Sequence, residues 1–347
     1  MVAEKEKNFI DLIKIVSPGT TLRNVIDDLL RSDLGAIIVF DSPELHEKGL
    51  FEGGFRINCR FTAQKLFELC KMDGGIIISD DFKRILYANV LMTPDNSIHT
   101  NETGTRHKAA ERIAKQAKTF VIAISERKRK TTLYFQNSKY YLKTTEELIR
   151  EISSTLQILE KQREIFDEQL GTLNILEMSK LVSVGDVCKV LQRTEMIMKI
   201  SESIKKSFTE LGKEGNVMQM RYRELLRGIE KTKSELLRDY SILSLKKSVN
   251  LLENLTFEGI LDLESISRLI FEKPVEENIM PKGYRFLSHL NLTSKEISQI
   301  VRELKDLKRI LELESKDLEQ LLKGRAKKTE EEINNLREQI LNGKVVC

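Results

Sequence analysis

The sequence predicts a multidomain chain, an α/β domain followed by all-α regions. Three observations carry that prediction. Glycines and short apolar runs crowd into the first 143 residues. From about Thr144 the apolar residues return at helical spacing instead. A loop bearing two prolines, KPVEENIMPKGYRF (273–286), then sets off a last group of short helices. Domain boundaries at 1–143, 144–280 and 281–347 follow, and 347 residues are enough for two or three domains.

In chain order, GAIIVF (35–40) is a short apolar run, as a buried strand requires. FRINCRF (55–61) alternates and leads into the helical TAQKLFELCKM. GGIIISDDFKRILYANV reads as two strands around SDDFKR, and TFVIAIS (119–125) as another buried strand. TTLYFQNSKYYL (131–142) reads as a hairpin around QNSK. Strands alternating with helices predict an α/β domain. In the middle region Leu148, Ile149, Ile152, Leu156 and Leu159 form a helical stripe. The turn candidates LGTLN, VSVGD, LGKEGN and LTFEG divide that region into several helices. Near the end, LTSKEISQIV offers Thr293 or Ser294 as an N-cap, with Glu296 placed for a capping box.

Composition excludes several classes. The chain is 40% hydrophobic and 32% charged, with no apolar run approaching a membrane span and no secretory leader pattern. Its formal charge of +4 is too mild to demand a nucleic-acid partner. Four cysteines and four histidines are scattered without CxxC pairs, so a structural zinc site has no support. Unpaired thiols and the absence of an export signal predict a cytoplasmic protein.

Two stretches carry chemistry. In KMDGGIIIS, Asp73 and the pair Gly74–Gly75 lie between a helix and a strand. Glycines let a ligand approach the backbone, and the acid suits a divalent cation or a hydroxyl. Taken alone, the same residues read more readily as a plain helix-to-strand turn, with Asp and Gly there for backbone reasons. In GTRHKAAER, Arg106, His107 and Lys108 sit in the first turn of a helix, where the macrodipole disfavours cations. Thr103 or Thr105 is the expected cap. Free amides together with Arg106 and Lys108 make a phosphate cradle, and His107 is suited to donate to a phosphate or move a proton. Alternatively this is a solvated basic turn offset by Glu111 and other acids. That reading is energetically open, since the dipole penalty is only ~0.3–1 kcal/mol per exposed charge. Neither a Walker A loop nor a GxGxxG fingerprint occurs.

MDGGIIIS, a hairpin ending in YANVLMTP, and ETGTRHKAAERIAKQ together resemble the diadenylate cyclase family. There the pattern runs Asp-Gly-Ala and then Gly-Thr-Arg-His-Arg. The full layout is similar to the DNA-integrity-scanning members of that family, with a segment like LGKEGNVMQMRYRELL in a helical spine. The resemblance implies a cyclase domain with a central mixed sheet, a helical middle domain and a C-terminal helix-hairpin-helix-like domain. It implies condensation of two ATP into cyclic di-3′,5′-AMP with release of two pyrophosphates, assisted by Mg²⁺ or Mn²⁺. Asp73 would serve the metal and the attacking 3′-hydroxyl; Gly74 and Gly75 would pass close to the nucleotide. Met92 would lie against the adenine. Gly104, Thr105, Arg106, His107, Lys108 and Ala109 would line the triphosphate, with Ser125 contacting phosphates. Each domain holds one ATP in this family, so cyclisation needs facing domains, and the family assembles as a homo-octamer.

Three departures stand out. Gly75 replaces an alanine, and Lys108 replaces an arginine, keeping charge but losing the bidentate fork. Arg127, Lys128, Arg129 and Lys130 are candidates to compensate. In the tail, LLKGRAKKTEEEINNL has one glycine, Gly324, where the family's DNA-binding hairpin has two. Lys323, Arg325, Lys327 and Lys328 are placed to meet phosphates of branched DNA, opposed by Glu330–Glu332. From Pro281 onward 14 Lys/Arg face 11 Asp/Glu. The alternative expectation is a catalytically weak or inactive ATP-binding sensor that scans DNA.

Overall fold

The structure, a computed structural model, describes residues 11–312 and 325–343. The chain divides into two compact units. One runs to Ile152 and takes in Lys205–Met218; the other comprises Ser153–Ile204 and the chain from Gln219 on.

The first unit is built on an eight-stranded sheet. Its strands are β1 (Ala36–Phe40), β2 (Phe51–Glu52), β3 (Phe55–Arg60), β4 (Gly75–Ile78), β5 (Arg84–Met92), β6 (Phe120–Ser125), β7 (Lys130–Phe135) and β8 (Ser138–Leu142). Their order is β2-β5-β4-β1-β6-β7-β8, with β3 continuing the β2 edge along β5. β1 and β4 run parallel, whereas β1–β6, β4–β5, β6–β7 and β7–β8 are antiparallel, so the sheet is mixed. The short apolar runs are strands because both faces are covered. Ile38, Phe40, Ile76 and Ile78 pack with Leu22, Val25, Ile26 and Leu29 of α1 (Thr21–Arg31) and Leu66 of α2 (Ala63–Cys70). Ile37, Val39, Ile77 and Val121 pack on the opposite face with Ala110, Ile113, Ala114 and Ala117 of α3 (Thr105–Ala117). The expected hairpin closes on two residues, Gln136 and Asn137, with Gln136 at φ +52°.

In the helical region three of the four expected turns form. LGTLN does not: α4 (Thr145–Ser179) runs 35 residues straight through Gly171. A helical glycine costs only about 1 kcal/mol. Phe166, Leu170 and Leu173, all buried on this stretch, outweigh it. At VSVGD, Ser183 caps α5 (Val184–Ser203) in a capping box with Asp186. LGKEGN becomes a 3₁₀ turn at Gly212–Gly215, and in LTFEG Thr256 caps a short helix.

The second unit is all-helical. Its core near the C-terminus joins Phe286, Leu287, Ile300, Leu307, Ile310, Ile333, Leu336 and Ile340. Thr293 caps α7 (Ser294–Leu304) and forms the expected capping box with Glu296. A polar knot holds α6 (Ile229–Tyr240) to the chain that follows the proline loop. The buried carboxylate of Asp239 accepts the backbone N–H groups of Gly283, Tyr284 and Arg285 at 2.8, 2.5 and 2.9 Å. The buried Arg285 guanidinium donates to Asn174 and Glu177. Among the described residues no helix is long and apolar enough to cross a membrane.

Candidate active site

The sheet register brings the two sequence motifs to one end of the first unit. β1 and β4 are parallel, with Ile37 opposite Gly75, so both strands start at the same edge. β6 runs the other way, with Ala36 opposite Ile124, so Ser125 ends at that edge too. α3 points its N-terminus there. The guanidinium of Arg106 lies over Gly35, so close that a Cβ at that glycine would meet Nη1 at 2.2 Å. Arg106 can occupy this place because Gly35 has no side chain.

Asp73 and Gly74 precede β4. Gly74 sits at φ +94°, and a Cβ there would come within 2.9 Å of the backbone of Asn89 on β5. The turn therefore requires this glycine whatever else it does. Gly75 is different. Its missing methyl would lie 2.6 Å from Cε of Met92 and 3.3 Å from Ile37. The space freed by the Gly75 departure is thus occupied by Met92, whose side chain folds back from the end of β5. Met92 and Ala109 both pack on the α3 face of the sheet. Asp73 is exposed and forms no hydrogen bond or ion pair among the described residues.

Neither threonine caps α3. Gly104 is the N-cap, and no side chain bonds the first turn. Lys108 N–H closes the first helical bond onto Gly104 C=O. The amides of Thr105, Arg106 and His107 are left without an intrahelical acceptor. Arg106 and Lys108 pair with no carboxylate among the described residues. Glu111 does not offset them. Its carboxylate is taken by Lys115 at 2.7 Å and by the Thr100 hydroxyl. Positive charge therefore stands uncompensated where the helix dipole is also positive.

His107 turns inward to a network that the sequence reading missed. Tyr134 donates its phenol proton to Glu102 at 2.7 Å. Its oxygen lies 3.0 Å from His107 Nδ1. A phenol has one proton, so here Nδ1–H donates and Tyr134 accepts, which makes Nε2 the lone-pair nitrogen. Nε2 is buried without a partner. Burial pushes the imidazole below its ordinary pKa. Glu102 pulls it up, and Lys128, Lys139 and Arg106 push it down. Lys139 in turn pairs with Glu102. No sequence spacing links residues 102, 107 and 134; only the pairing of β6 with β7 places Tyr134 beside α3.

Among the candidates to compensate Lys108, Arg129 is engaged by Asp33 at 2.7 Å. Lys128 belongs to the turn after β6, where its N–H donates to Ser125 Oγ at 3.2 Å. That bond uses a Ser125 lone pair and leaves its O–H free to donate. In the tail, Lys323 and Gly324 lie outside the described residues. Arg325 pairs with Glu296 at 3.2 Å, and Lys327 and Lys328 are exposed at the start of α8 (Ala326–Leu341).

Residues 23–139 match the model of the DisA bacterial checkpoint controller nucleotide-binding region, and residues 142–277 that of the DisA linker region. The DNA integrity scanning protein DisA of Clostridium kluyveri is 36% identical over 350 residues, covering 98% of this chain and 99% of its own. That of Acetivibrio thermocellus is 37% identical over 91% of this chain and 90% of its own. That of Fusobacterium nucleatum is 40% identical over 90% and 91%.

Proposed function

The chain belongs to the DisA family, and on that premise we propose that it is a diadenylate cyclase, condensing two ATP into cyclic di-3′,5′-AMP and releasing two pyrophosphates. The observation that carries the reading is the uncapped start of α3. Its first amides and Lys108 are unpaired, and Arg106 lies over Gly35, at the sheet edge where Gly75 begins β4 and Asp73 precedes it. A polyanion satisfies all of them at once.

In this reading the triphosphate lies on the amides of Thr105, Arg106 and His107, flanked by the Arg106 and Lys108 cations and the Ser125 hydroxyl. Gly74, Gly75, Gly104 and Ala109 line its path, and Met92 meets the adenine. The 3′-hydroxyl of one ATP attacks the α-phosphorus of a second, so charge builds on phosphate oxygens and on the departing pyrophosphate. Fixed amides and cations stabilise that charge without reorganising. His107, neutral with its Nδ1–H held by Tyr134, lends the first turn a fixed orientation rather than a further charge.

The donor set fits a hard divalent cation held mostly by substrate. No cluster of three or more His, Cys, Asp or Glu suited to a metal occurs among the described residues, and Asp73 offers one unpaired carboxylate. Mg²⁺, and similarly Mn²⁺, commonly uses one or two carboxylates plus phosphates. Asp73 would hold it, and bound there it would supply Lewis acidity for the hydroxyl and phosphates. With one ATP per domain, two domains must face each other, and we expect a homo-octamer in the cytoplasm. Branched DNA at Lys323, Gly324, Arg325, Lys327 and Lys328 completes the proposal.

Pure protein with ATP and Mn²⁺ should yield cyclic di-AMP by chromatography, and Asp73→Asn should lower the rate at least about 100-fold with unchanged circular dichroism. ATP binding without product under either metal would instead establish a non-catalytic nucleotide sensor. Added Holliday-junction DNA should lower product formation; an unchanged rate at saturating junction rejects that coupling.

A further inference from the structure

A cleft of about 920 Å³ in the second unit shares no lining residue with the sites assigned above. Arg238, Lys282, Arg302 and Lys305 line it, and no carboxylate does. A second cleft, lined by Glu264, Arg268, Glu272, Lys273 and Glu276, has both its cations paired, as Arg268–Glu264 and Lys273–Glu277. Here Arg238, Arg302 and Lys305 form no ion pair among the described residues.

The cleft is also built rather than merely charged. Lys282 Nζ donates to the carbonyls of Arg238 at 3.3 Å and Ser241 at 2.9 Å. Two of its three protons are thereby fixed, and the third is free. Next to it, the buried Asp239 carboxylate anchors the backbone of Gly283, Tyr284 and Arg285 to the end of α6. The opposite wall is one face of α7, where Ser294, Ser298 and Arg302 follow at intervals of four and Lys305 completes the stripe. Ser298 donates to Ser294 C=O at 2.8 Å, leaving its oxygen lone pairs outward. Four like charges around one concavity focus a positive potential into it. A planar guanidinium on each wall suits tetrahedral oxyanions.

We propose that this cleft is a phosphate-binding site, lined neither by residues of the Asp73 edge nor by Arg325, Lys327 or Lys328. Its ligand carries at least two phosphate groups, supplied either by a nucleic-acid backbone or by a free nucleotide or pyrophosphate.

The test uses the full chain with Arg238→Gln and Arg302→Gln combined, both exposed residues outside the cyclase machinery. Its melting temperature and its cyclase rate should match the parent. Two ligands are titrated: a labelled branched DNA by anisotropy, and inorganic pyrophosphate by calorimetry. A nucleic-acid source predicts at least tenfold weaker DNA binding and a log K against log salt slope smaller by roughly 2, about 0.9 per lost phosphate contact. A small-molecule source predicts that one pyrophosphate site per chain disappears while DNA binding is unchanged. Either result supports the site. Unchanged titrations of both ligands overturn it, as does an equal loss from Arg60→Gln combined with Lys65→Gln, which removes the same charge from the other unit. Should the variant melt early, Lys305→Asn, which keeps the left-handed backbone there acceptable, replaces it in the same titrations. Failure of the parent to make cyclic di-AMP would leave these binding results standing.

Discussion

At the scale of single residues, the two adjacent glycines of MDGGIIIS have different physical duties. Gly74 combines a left-handed φ with backbone only 2.9 Å from where a Cβ would sit. Gly74→Ala should therefore cost roughly 1–3 kcal/mol, read as a lower denaturant midpoint. Gly75→Ala meets the flexible end of Met92 and, at 3.3 Å, the side chain of Ile37, but no backbone atom that close. It should leave the midpoint within about 1 kcal/mol of the parent and raise the KM for ATP as Met92 is displaced. His107 supplies a third residue-scale test. Burial holds its pKa down and Glu102 opposes that, so Glu102→Gln should lower the His107 midpoint further in an NMR titration. The sign for stability follows. A depressed folded pKa contributes stability that is present above the unfolded value near 6.5 and is lost as pH falls through the folded value.

At the scale of elements, caps and burial outweigh turn-like composition. Gly171 lies mid-helix in α4 because its neighbours Leu170 and Leu173 are buried, whereas Ser183, Thr256 and Thr293 start helices through side-chain bonds to backbone. Thr293→Ala removes the acceptor for Glu296 N–H and should destabilise the second unit by about 1 kcal/mol, measured by its thermal midpoint. α3 is the instructive exception, since Gly104 leaves its first amides uncapped. A helix start with no side-chain cap and two unpaired cations is locally unfavourable by itself. It is what a polyanion site requires.

At the scale of the molecule, the proposed reaction needs two nucleotides, while each chain offers one such edge. Cyclic product should therefore track assembly. On dilution, specific activity should fall in step with the oligomer fraction seen by mass photometry. Constant specific activity in dilute monomer would refute the facing-site requirement. The two compact units do not follow the chain in simple succession, because Lys205–Met218 returns to the first. The polar knot of Asp239, Arg285, Asn174 and Glu177 lies wholly in the second unit. It ties residues from both sides of the proline loop into one body. Nothing in the local sequence around Asp239 marks it as a cap for residues more than forty positions away.

What the sequence determined by itself was periodic or contiguous. Apolar runs short enough for buried strands, a helical stripe from Leu148, a capping box at Thr293, and the ordered pair MDGG and GTRHK are all local patterns. Local backbone preference and alternation of burial suffice to write them. The tertiary structure alone decided what depends on pairing across the sheet or between helices. It seated Arg106 on Gly35, filled the Gly75 space with Met92, withdrew Glu111 from the basic turn, and joined Glu102 and Tyr134 to His107. These contacts join residues far apart in the chain. No spacing rule encodes them, because they arise only when strand register and helix packing fix which side chains share a volume.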